Sequence, residues 1–203
     1  MSAAAFTPGP IAAGRQRPVA TSIAARVLGI VLLLSVPLLA LSQGVFRVAE
    51  AWVTRFAVDA VTDGSAAAAG NIVYFGIGSG SVTGLDITML CSTAVLFAPV
   101  LALAGVLLLI PGFRASRIAV GLLAALALCV LVNMVRYASA AFAFQTWGMS
   151  GFDIIHRYAG SILVILGLMA ALVLIVVFAV RSGRWTGPRR RSTWQPARWG
   201  GLR

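Results

Sequence analysis

Lysine is absent from the chain, histidine occurs once, cysteine twice, and Asp plus Glu total only five. Charged residues make up 10% of the 203 and apolar residues 60%. Soluble domains run at about 25% charged and about 45–50% apolar, so a water-soluble globule is excluded and an integral membrane protein is expected. Two cysteines, Cys91 and Cys129, are too few for a disulfide framework or a four-ligand zinc site. No metal or organic cofactor is implied. The net charge of +11 is all arginine and lies mostly at the two ends. That pattern reads as anchoring of membrane helices on the cytoplasmic side, not as nucleic-acid binding.

Three parts are expected: a flexible cytoplasmic start (1–25), a four-span membrane domain (26–180) and a basic cytoplasmic tail (181–203) with seven arginines. The start has the basic lead of a signal peptide, but no small-x-small cleavage site follows Leu41, so the first apolar run is read as an anchor. The four spans are predicted at about 27–42, 87–110, 118–135 and 158–180, with Pro37 kinking the first. Between the first two, Phe46, Ala49, Trp52, Val53, Phe56, Ala57 and Ala60 recur at helical spacing, with Arg47, Glu50, Arg55 and Asp59 between them. This predicts an amphipathic helix at the membrane interface. Ala66 to Ala69 is a small low-complexity patch of no evident use. Residues 71–84 join β-branched and aromatic residues to a Gly/Ser turn, which suits a short β-hairpin or a disordered glycine loop equally. Residues 136–155 form a second connection, with Phe142, Phe144, Trp147 and Phe152 as interfacial anchors. The fold class is thus an all-α integral membrane protein with four transmembrane helices, amphipathic extracytoplasmic segments and that hairpin. The arginine-rich ends and the short loop around Arg114 place both termini in the cytoplasm and both long connections outside, a multi-pass arrangement in the cell membrane.

Under this topology Cys91 falls just inside the outer end of the second span. Arg136 closes the third span on that side, and His156 opens the fourth. A helix rises about 1.5 Å per residue, so a shift of two turns takes any of them out of the layer. Each has a bland reading. A lone membrane cysteine is usually an apolar filler, as Cys129 is read to be; a terminal arginine is usually an anchor, as Arg157 is; a single histidine can be a polar helix start. Shared depth favours function, since intramembrane ionisable groups are functional by default. The chemistry is coherent. A helix N-terminus and a nearby cation favour a nucleophilic thiolate at Cys91. The Ser92 and Thr93 amides are candidate oxyanion donors. His156 can act as general acid and base. Arg136 stays protonated and can hold the thiolate, an oxyanion or a substrate carboxylate. Asn133, one turn earlier on the same face, can orient Arg136 or donate to a carbonyl. Asp153 can orient the imidazole or cap the fourth helix.

Cys91-Ser92-Thr93 at the outer end of a membrane helix, then Asn133-Met134-Val135-Arg136, then His156-Arg157-Tyr158-Ala159-Gly160, resembles the exosortase/archaeosortase family over roughly 72–180. The resemblance implies a membrane cysteine transpeptidase or protease acting on secreted, membrane-anchored proteins that carry a C-terminal sorting signal: a short motif, an apolar helix and a basic cluster. It implies Cys91 as nucleophile with Arg136 and His156 as its partners. Two departures stand out: Thr93 where glycine is common, narrowing approach to the thiol, and four spans where many members have about eight. The alternative is a non-catalytic polytopic partner or assembly factor, in which the three side chains need not meet.

Overall fold

The computed structural model describes residues 23–181. The start up to residue 22 and the arginine tail from 182 lie outside the described residues. Helix α1 spans Ile23–Leu41 and α2 Gln43–Asp59; strands β1 Ser65–Ala69, β2 Ile72–Ile77 and β3 Thr83–Asp86 follow. A 3-10 turn, Met89–Cys91, leads into α3 Thr93–Leu109. Helix α4 covers Ala115–Asp153, a π-helical turn Ile154–Ala159, and α5 Gly160–Arg181. Helix α1 and the helical stretch Ala115–Arg181 are long and apolar enough to cross a membrane; α3 is as apolar but shorter.

Three helices build the centre of the bundle. Leu96 and Val100 of α3, Ala125 and Cys129 of α4, and Ala171 and Ile175 of α5 form a buried cluster. The other sides of α4 and α5 expose large aliphatic side chains, among them Leu123, Ile165 and Leu166. Stripes of that size suit hydrocarbon, not water. Helix α1 packs on α3. Above the bundle, the sheet has the order β1-β2-β3, antiparallel throughout. It packs with α2 and the later part of α4 around Ala51, Val58, Val73, Phe75, Leu85, Ile87, Tyr137 and Ala141.

Several expected boundaries move. The second helix starts at Thr93, not near 87: Ile87 still belongs to the sheet layer, its amide bonded to the Asn71 carbonyl at 3.0 Å. Ser92 is the N-cap, in extended backbone conformation, and its hydroxyl accepts from the Ala94 amide. Apolarity alone ran the expected span through residues that are strand exit and tight turn. The third helix does not end at Arg136. Tyr137 and Ala141 are buried in the cluster with the sheet and α2, and Ala140 and Ala143 are buried too, so packing carries the helix on through the expected connection. The patch Ala66–Ala69 is most of strand β1, and β2 pairs with β3 where a hairpin or a loop was expected.

Gly148 is the pivot of the last two helices. Its φ of 66° and ψ of −154° break α4 in a region open essentially to glycine alone. Close approaches of Gly121 to Phe178, Val132 to Gly167 and Arg136 to Gly160 run antiparallel about it. The chain therefore doubles back and sets His156 beside the level of Arg136.

Candidate active site

Helix α2 turns its polar stripe inward. Glu50, Ala51, Thr54 and Val58, spaced a turn apart, are buried, whereas Trp52, Val53 and Phe56 are exposed. The Arg55 guanidinium lies over the Trp52 and Phe56 rings, 4.3 and 4.5 Å from their centroids. Glu50 consequently reaches the turn that carries Cys91. Its carboxylate accepts from the Ser92 hydroxyl at 2.7 Å, the Thr93 amide at 2.9 Å, the Thr93 hydroxyl, and Asn133 Nδ2 at 2.8 Å. No residue of the described chain supplies it with a cation.

The backbone of Cys91 is fixed from three sides. Its amide donates to the Thr88 carbonyl at 3.1 Å. Its carbonyl accepts from Asn133 Nδ2 at 3.0 Å and from the Tyr137 hydroxyl at 2.6 Å. Just before the turn, Arg47 Nη1 donates to the Ile87 carbonyl at 3.3 Å. The turn sits at the junction of the sheet layer and the bundle, outside the helices, with Cys91 half-buried.

The sulfur faces two cationic-capable groups. Arg136 Nη2 lies 3.6 Å and His156 Nε2 3.7 Å from Cys91 Sγ. The hydrogen bond with His156 is the main reason the thiol is pulled down from 9.0 to about 7; burial opposes it, and Thr88 and the Arg136 charge assist. At that value an appreciable thiolate fraction exists at neutral pH.

His156 stands on the π-helical turn, whose wider winding closes with the Gly160 amide bonded to the Ile155 carbonyl. Its ring stacks on Phe152, 5.0 Å between centroids and 9° from parallel. Gly160 makes room for Arg136: a Cβ there would lie 2.9 Å from Arg136 Cγ. Arg136 is 8% exposed, and its Nε, like His156 Nδ1, has no hydrogen-bond partner among the described residues.

The structure thus brings Cys91, Arg136 and His156 together and sets Asn133, Ser92 and Thr93 behind the turn that carries Cys91. Other expectations are corrected. Asp153 does not orient the imidazole; it pairs with Arg157 at 3.3 Å and makes no capping bond. The Thr93 amide is not an oxyanion donor, because Glu50 already takes it. The Thr93 side chain is buried toward Glu50 and Asn133 and does not narrow the approach to the thiol. Asn133 braces the turn instead of Arg136. Cys129 is buried within the bundle cluster. Sequence reading missed Glu50, Tyr137 and the stacked Phe152. The i, i+4, i+8 stripe of Glu50, Thr54 and Val58 was the available signal, obscured by the stronger apolar stripe beside it.

The described residues hold no group of three or more His, Cys, Asp or Glu able to bind a metal. No curated protein and no solved structure matches the chain. The transmembrane exosortase (Exosortase_EpsH) family model matches residues 3–200, nearly the whole length, and the chain belongs to that family of membrane proteins.

Proposed function

We propose that this chain is a membrane-embedded cysteine transpeptidase or protease that cleaves C-terminal sorting signals of secreted proteins at the outer face of the cytoplasmic membrane. The observation that carries the reading is the meeting of three side chains far apart in sequence: Arg136 and His156 both within 4 Å of the Cys91 sulfur. Family membership supports the reaction class.

In the proposed cycle the Cys91 thiolate attacks the scissile carbonyl carbon, forming a C–S bond and an oxyanion. Arg136 is a donor suited to that oxyanion, since its Nη2 lies 3.6 Å from the sulfur while the Cys91 and Thr93 amides are already bonded elsewhere. His156, carrying a proton at Nε2, gives it to the leaving amine as the C–N bond breaks. The acyl group then rests on Cys91 as a thioester. His156 removes a proton from an incoming amine or water, which attacks the thioester; the C–S bond breaks, and thiolate and imidazolium are regenerated. Glu50, Asn133 and Tyr137 hold the turn still throughout.

The topology in this reading has α1, α3, α4 and α5 as four crossings with both termini in the cytoplasm. The 17 residues of α3 rise about 26 Å, close to the hydrocarbon thickness of about 30 Å. The substrate enters sideways as a membrane-anchored tail.

The deciding experiment is Cys91→Ala with a co-expressed sorting-signal substrate. Processing is lost while the protein still accumulates in the membrane, and Cys129→Ala is nearly silent. Normal processing by Cys91→Ala removes the nucleophile role; loss in Cys129→Ala with an active Cys91→Ala reverses the assignment.

A further inference from the structure

Strand β3 is an edge. In its register Ile72 opposes Asp86, Val73 opposes Leu85 and Tyr74 opposes Gly84. The bond from the Ile87 amide to the Asn71 carbonyl fixes which pairs exchange hydrogen bonds: Val73–Leu85 does, and Tyr74–Gly84 does not. The N–H and C=O groups of Gly84 and Asp86 therefore point away from β2, and among the described residues no strand pairs with that side. From Asp86 only Ile87 and Thr88 separate this edge from the 3-10 turn that ends at Cys91.

A cavity of about 210 Å³ opens beside the same strand. Thr83 and Leu85 of β3, Phe75 of β2, and Phe144, Met149 and Phe152 of α4 line it. Small-molecule pockets run about 300–1,000 Å³, so this one suits an apolar side chain better than a cofactor. Phe152 is shared: part of it lines the cavity, and its ring stacks on His156. Gly148 is what brings Met149 and Phe152 to the strand, since the break re-aims the helix just before them.

We propose that β3 and this cavity form the substrate's acyl-side subsite. The segment next to the scissile bond adds to β3 as a fourth strand, pairing with Gly84 and Asp86, and seats one apolar side chain in the cavity against Phe152. The inference rests on the cysteine-peptidase reading above and specifies its substrate: an extended peptide with a large apolar residue near the cleaved bond. A lipid chain could fill the cavity but cannot satisfy the alternating donors and acceptors of the edge, which extended backbone matches.

The test uses the purified full chain in detergent. Its probes are alanine-based peptidyl chloromethyl ketones with one leucine walked through successive positions; the Cys91 sulfur bonds the methylene carbon and chloride leaves. Leucine at one position should raise the inactivation rate about tenfold or more over the all-alanine probe. Met149→Trp, at a position 62% exposed, should fill the cavity and erase that gain. N-methylating the probe's backbone amide at the β3 pairing position should erase it too. Alkylation by iodoacetamide, which needs no subsite, should be unchanged in Met149→Trp. The subsite is overturned if no leucine position is faster, or if the gain survives either change, while iodoacetamide still reacts with Cys91 in a His156-dependent way. If His156→Ala leaves iodoacetamide reactivity untouched, the peptidase reading fails, and the subsite with it.

Discussion

Arg136 passes directly over Gly160: a single methyl on that glycine would stand 2.9 Å from Arg136 Cγ and 3.2 Å from its Nε. The Ile155 carbonyl is equally close, so the backbone of the π-helical turn blocks the other way out. Gly160→Ala should therefore displace the guanidinium or the turn that carries His156. Ångström-scale misplacement costs up to about a hundredfold in rate. Substrate processing should fall between about ten- and a hundredfold with the protein still present in the membrane. Wild-type processing by Gly160→Ala would mean that Arg136 does not act from where it lies.

Thiol reactivity should follow pH with a known sign. Because Cys91 titrates at about 7, its alkylation by iodoacetamide should rise as pH climbs through that value and level off above it. Removing the largest cause, in His156→Ala, should move the midpoint up toward the ordinary 9.0. A wild-type midpoint already at the ordinary value would contradict the hydrogen bond between the two side chains.

Glu50 is the unforeseen member of the site, and two substitutions separate its contributions. Glu50→Ala strands the Ser92 hydroxyl and the Thr93 amide and hydroxyl in a buried space, while Asn133 keeps its bond to the Cys91 carbonyl. Each unpaired group costs about 1–3 kcal/mol, so thermal unfolding in detergent should drop markedly. Glu50→Gln keeps the shape but turns an NH2 group toward a donor, and should cost less while still slowing Cys91 alkylation. A Glu50→Ala protein that melts like the wild type would show that these three donors find other partners.

The side of the membrane is open to a direct check. A membrane-impermeant thiol reagent added to intact cells should compete for Cys91, and Cys129 should stay unlabelled. Labelling of Cys91 only after permeabilisation would invert the proposed topology.

Much of this site is legible in the sequence. Hydropathy and arginine bias set Cys91, Arg136 and His156 near the ends of apolar runs on one expected side, and the three side chains do meet. What hydropathy cannot see is a helix that continues for packing reasons, as α4 does past Arg136 into the layer around Tyr137 and Ala141. Nor can it see that an apolar stretch such as Ile87 to Leu90 is a strand exit and a tight turn, because burial and β-branching look alike in either state. Alanine carries little strand propensity, so β1 left no signal of its own. Glu50 was hidden for a different reason. Amphipathic reasoning assigns the charged side of an interfacial helix to water, and here that side faces the protein.

The inverted α2 also limits what can be cut away. Its outward stripe of Trp52, Val53 and Phe56 wants an oily boundary, while its inward Glu50 secures the loop that bears the sulfur. A water-soluble fragment trimmed of its crossings would bare one side of that helix to solvent and leave the other without its scaffold. In the proposed reading the Cys91 cluster and the bilayer are served by opposite sides of one element, so preparations stripped of lipid or detergent should lose cysteine reactivity along with solubility.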